Sequence, residues 1–157
     1  NIGFIHYFLK NFEKAEKSLE IAISLDPKLT DSYNLLGQLL MRRQDDAGAL
    51  QLFLKALQIN PNLKDVHFNV GMIYLRAGNL DAAVTSYNEA LRVDPSFSLA
   101  HYNLATILRH QGKKDEALLH FEKALENPSE LIDIAQAKQL IAELKKPNAS
   151  LPQVIKK

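Results

Sequence analysis

Residues 30–61 read TDSYNLLGQLLMRRQDDAGALQLFLKALQINP, and this stretch decides the fold. Tyr33, Leu36, Gly37 and Leu40 share one face at helical spacing, a polar break follows at Gln44-Asp45-Asp46, and Ala49, Phe53, Ala56 and Leu57 resume the spacing. The pattern predicts a helix, a turn and a second helix. Small residues on both helices let the backbones approach closely, large ones fill the remaining space, and Pro61 stops or redirects the chain.

The rest of the chain copies this stretch. Pro27, Pro61 and Pro95 recur at a step of 34 residues, as do Gly3, Gly37 and Gly71, which Ala105 follows. Two further small-residue series keep the step: Ala15, Ala49, Ala83 and Ala117, then Ala22, Ala56, Ala90 and Ala124. Large partners recur with them at Leu19, Phe53, Tyr87 and Phe121. A single hairpin cannot bury its apolar face alone, so hairpins of this kind stack. The predicted helices are 1–10, 13–25, 30–43, 46–59, 64–77, 80–93, 98–111, 114–126 and 130–146.

The run Tyr33, Leu36, Gly37, Ala49, Phe53, Ala56 and Pro61 resembles the tetratricopeptide repeat signature. His67, Val70, Gly71, Tyr74, Gly78, Ala83, Tyr87, Ala90 and Pro95 repeat it, with His67 where a bulky aromatic is usual. A looser copy has His101, Leu104, Ala105, Gly112, Ala117, Phe121 and Ala124, and its proline, Pro128, comes one residue early. The resemblance covers 1–128 as four repeats and implies an all-α, right-handed superhelical solenoid of antiparallel hairpins. Asn1 aligns inside a first helix, so the array is expected to continue upstream. Residues 129–146 break the pattern at Lys138 and Gln139 yet place Ile134, Ala137, Ile141 and Leu144 on one face, as a capping helix would. A flexible tail is expected over 147–157.

Composition narrows the function. The 157 residues are 46% hydrophobic and 24% charged, with 19 basic against 18 acidic side chains and a net charge of +1, so no broad field draws in nucleic acid or a membrane surface. Absence of cysteine removes disulfides, thiolate nucleophiles and cysteine metal sites, and favours the cytosol. The apolar runs are too short to insert in a membrane. No two of His6, His67, His101, His110 and His120 stand four residues apart as a zinc helix requires, and His67 and His101 share one repeat position, which packing explains. Asp45-Asp46, Asp81 and Asp115-Glu116 suit helix starts, and no glycine loop cradles phosphate. No catalytic residue, metal or cofactor is expected.

The informative face is the one opposite the core face of each first helix. It carries Asp31, Asn34, Leu35, Gln38 and Arg42, then Asp65, Phe68, Asn69, Met72 and Arg76, then Leu99, Tyr102, Asn103, Thr106 and His110, with Asn1, Phe4 and Phe8 at the start. The family resemblance implies that first helices line a concave groove. The expected partner-binding residues are Asn34, Gln38, Arg42, Phe68, Asn69, Met72, Arg76, Tyr102, Asn103 and Thr106. Apolar side chains would hold anchors, asparagines would meet an extended backbone, and Arg42 and Arg76 would meet carboxylates. The asparagines resemble the ladder of the O-linked N-acetylglucosamine transferase superhelix, interrupted at Leu35; the chaperone-tail carboxylate clamp fits poorly.

The leading expectation is therefore a non-enzymatic scaffold that binds a peptide or helix of another protein in its groove. The alternatives are a substrate-selecting arm of a larger enzyme such as a glycosyltransferase, and self-association. An RNA-binding helical repeat is opposed by the step of 34 and the near-zero charge.

Overall fold

The computed structural model describes residues 2–8 and 11–146, with backbone alone at Ile2, Phe4 and Phe8. The expected tail over 147–157, Asn1, and the side chains of Phe4 and Phe8 lie outside the described residues.

Among the described residues there are nine α-helices and no strand. They are α1 (Ile2–Phe8), α2 (Phe12–Leu25), α3 (Thr30–Arg42), α4 (Asp46–Ile59), α5 (Lys64–Arg76), α6 (Leu80–Val93), α7 (Ser98–His110), α8 (Lys114–Glu126) and α9 (Ile134–Lys145). The helix pairs α1/α2, α3/α4, α5/α6 and α7/α8 form the hairpins. Two compact units result, an N-terminal unit over Asn1–Pro95 and a C-terminal unit over Ser96–Lys157.

The turns within the hairpins follow local chemistry. Asp45 and Asn79 each cap the helix that follows, accepting from Gly48 N and Ala82 N. The chain reverses through a left-handed residue at Gln44 (φ 65°), Gly78 (φ 75°) and Gly112 (φ 76°), one repeat apart. Glycine occupies that conformation without steric cost, whereas Gln44 carries its Cβ into it.

In the N-terminal unit the small-residue series does what its spacing predicts. A Cβ added at Gly37 would sit 2.6 Å from Phe53 Cε1, and one at Gly71 would sit 2.6 Å from Tyr87 Cε1. Both rings are fully buried, and burying Phe53 contributes roughly 1.5–3 kcal/mol of transfer free energy. Tyr33, Ala49, Phe53, Ala56, Val66, Val70 and Ile73 form one cluster, and Ala15, Leu19, Leu35, Leu36 and Leu39 form another. Leu35, expected on the open face, is thus a core residue, because it packs toward the preceding hairpin.

In the C-terminal unit α9 packs on α8, and the last helix starts at Ile134 rather than at residue 130. The bend before it is held by Ser129 N donating to Ser98 Oγ and Ile132 N donating to Ser129 O. Asp133 then caps α9 through Gln136 N. Ile132 and Ala137 bury against Ala124, with Leu99, Tyr102 and Leu125 packed around them. Ile134, expected on the apolar face, is 42% exposed because Ile132 fills the core position ahead of it.

Candidate functional site

The open face of the first helices in the N-terminal unit carries a hydrogen-bonded row of polar side chains. Tyr7 Oη donates to Gln38 Oε1 at 2.8 Å, and Gln38 Nε2 donates to Asn34 Oδ1 at 3.2 Å. Asn69 Nδ2 also donates to Asn34 Oδ1 at 3.2 Å. All four side chains are half-buried. The Asn34 carbonyl therefore serves two donors, which leaves its own amide hydrogens for another acceptor, while Asn69 keeps its carbonyl oxygen for another donor.

Phe68 and Met72 are half-buried beside this row, with the Phe68 ring 5.6 Å from Tyr87. They offer apolar surface without standing fully in water.

The two arginines do not stand idle. The Arg42 guanidinium lies 4.3 Å over the Phe12 ring, and Arg76 forms an ion pair with Asp46 at 2.6 Å. Both contacts reach back 30 residues, and Phe12 and Asp46 occupy one repeat position at the start of the second helix. One slot thus meets the guanidinium with a ring face in one hairpin and with a carboxylate in the next. This gives the arginines a structural role that their recurrence alone did not reveal. Arg42 also borders a small hollow of about 230 Å³ with Phe12, Leu39 and Arg43, the last paired with Glu16 at 2.6 Å.

A larger cleft, of about 450 Å³, opens at the other end of α3 and α5. It is lined by Asp31, Asn34, Asn62, Leu63, Lys64, Asp65, Val66, Val93 and Asp94. Lys64 and Asp94 pair at 2.5 Å, and the hydrogen bond to Asp94 raises the Lys64 pKa above its ordinary value, so the ammonium stays charged. Asp31 and Asp65 belong to the face expected from the sequence, whereas the cleft has no sequence signature, because its walls come from three segments with no shared local signal.

In the C-terminal unit the equivalent face is partly occupied from within. Tyr102 Oη donates to Gln136 Oε1 of α9 at 3.0 Å, and its ring meets Phe121 edge-on at 5.5 Å. Thr106 Oγ1 donates to the Tyr102 carbonyl of its own helix, and Asn103 is half-buried. Behind this face His101, 3% exposed, shares a 2.8 Å Nδ1···Nδ1 hydrogen bond with His120. One ring must donate and the other accept, which requires the accepting ring to be neutral. Burial, with the nearby His101 and Lys123, pushes the His120 pKa down to about 4 despite Glu116. His67, at the repeat position of His101, instead contacts the Pro61 carbonyl oxygen through Nε2 at 2.8 Å. No group of three or more metal-ligating side chains is found among the described residues, and no described helix is long and apolar enough to cross a membrane.

Tetratricopeptide-repeat family models match residues 1–29, 28–96 and 70–130. The chain belongs to the tetratricopeptide-repeat family. Its all-α fold is the tetratricopeptide solenoid class, shared with solved proteins of low sequence identity. A crystal structure of MamA matches with a TM-score of 0.72 at 25% identity, covering 79% of this chain and 72% of that one. A structure of YrrB, described as a tetratricopeptide protein with an unusual peptide-binding site, matches with a TM-score of 0.74 at 20% identity, covering 92% and 73%. Comparison with curated proteins gives no significant match. The tetratricopeptide fold and family are those of protein-interaction scaffolds.

Proposed function

We propose that the open first-helix face of the N-terminal unit binds an extended segment of a partner protein. The observation that carries this is the amide row: Asn34 retains a donor and Asn69 retains an acceptor, which is what one backbone peptide group needs on its two sides. Gln38 holds the row in place. Phe68 and Met72 supply apolar contact for an anchoring side chain. Arg42 and Arg76 border the same face, and an acidic group of the partner would have to compete with Phe12 and Asp46 for them. Tyr102, Asn103 and Thr106 form a separate candidate surface on the C-terminal unit, with the Tyr102 hydroxyl already committed to Gln136.

Peptides selected from a random display library on the full chain test this. Asn34→Ala with Asn69→Ala should weaken a selected peptide by about tenfold, the loss of one or two net hydrogen bonds, with helicity by circular dichroism unchanged. Peptides that bind the double variant as tightly as the parent would place the binding surface elsewhere.

A further inference from the structure

The cleft at the starts of α3 and α5 has a chemistry different from the rest of the face. Among its described lining residues Lys64 pairs with Asp94 and is also attracted by Asp65, so with Asp31 three carboxylates face one ammonium and the cleft is net negative. The Asp31 side chain makes no hydrogen bond or ion pair among the described residues, and Asp31 and Asp65 are both exposed. Leu63, Val66 and Val93 give the cleft apolar walls, and Asn34 joins it to the amide row. Negative ends at the first turn of a helix complement its dipole, which accounts for Asp31 and Asp65 being acidic. It does not account for an open space of about 450 Å³ with apolar walls between them.

We propose that this cleft receives a lysine or arginine side chain of the partner segment, with the aliphatic stem against Leu63, Val66 and Val93 and the cationic head between Asp31 and Asp65. The inference rests on the peptide-binding reading of the neighbouring face. It also reverses the charge expected of the partner from sequence, since the guanidiniums of Arg42 and Arg76 already have ring and carboxylate partners while Asp31 has none. An aliphatic stem with a charged head suits a site whose walls are apolar and whose rim is anionic.

The probes are n-butylammonium and n-butylguanidinium, the two side chains without their backbone, with neutral n-butylurea as control, titrated into the full chain by NMR. Saturable shifts at the methyl groups of Leu63, Val66 and Val93 are expected for the two cations, weakening as salt rises. Asp31→Asn with Asp65→Asn, both at exposed positions, should reduce cation affinity about tenfold or more, the scale of a charge-assisted contact. Equal shifts from n-butylurea, or unchanged cation affinity in the double variant, would overturn the proposal. Asn69 does not line the cleft, so Asn69→Ala separates the two readings. Peptides that need Asn69 but lack a basic residue, with cations failing to bind, would overturn the cleft and leave the peptide surface standing. Cations that fill the cleft while no peptide depends on Asn69 would overturn the proposal's link to that surface.

Discussion

The two units use one repeat pattern and finish it differently. In the N-terminal unit, glycine at positions 37 and 71 faces a buried ring at van der Waals limits, and the open face keeps amide groups available. In the C-terminal unit the same register holds Ala105, and α9 lies against Leu99 and Tyr102, so part of the face is spent within the molecule. A repeat position thus fixes where a side chain points, and the neighbouring element decides whether it remains available to a partner.

Breaking the tight contact should give the largest effect. Gly71→Leu is expected to cost about 3 kcal/mol, the upper part of the range for overpacking a core, because even a methyl group would meet the Tyr87 ring at 2.6 Å. Denaturant unfolding measures it, and a loss under about 1 kcal/mol would show that the ring yields easily.

The histidine pair should make the C-terminal unit sensitive to acid. His120 titrates near 4 when folded against an ordinary 6.5, so the unfolded chain takes up the proton first as pH falls. The contribution of neutral His120 is full above about pH 6.5 and declines toward pH 4. Protection factors of the amides in α7 and α8, with the intrinsic slowing of exchange in acid divided out, should fall across that window, and His120→Asn should flatten the dependence. Protection factors in the parent that stay constant between pH 6.5 and 4 would contradict the shifted value.

Much of this was legible in the sequence. The step of 34 residues placed α2 through α8 within one residue at each boundary, since Gly37, Gly71 and the alanine series encode helix contact directly. The start of α9 was not legible, because residues 130–133 carry helix-compatible side chains and only the bond from Ser129 to Ser98 bends them away. Leu35 was misplaced because one helix buries two sides when hairpins stack. The partners of Arg42 and Arg76, and the His101–His120 bond, depend on pairs 19 to 30 residues apart and leave no local trace.

The smallest effect concerns the turn that both units share. Gln44 holds φ 65° where Gly78 and Gly112 stand one and two repeats later. Gln44→Gly should stabilise the N-terminal unit by about 0.5–1 kcal/mol, relief of left-handed strain outweighing the added freedom of the unfolded chain. A melting temperature that falls would assign Gln44 a contact that matters more than its backbone.

The amide row has a grammar as well as a composition. A tyrosine hydroxyl placed against a carbonyl can only speak one way, so Tyr7 orients the Gln38 amide, and Gln38 together with Asn69 orients Asn34. On the proposed reading, whether a visiting backbone runs in one direction or in both would be decided on α1, away from the asparagines that would touch it.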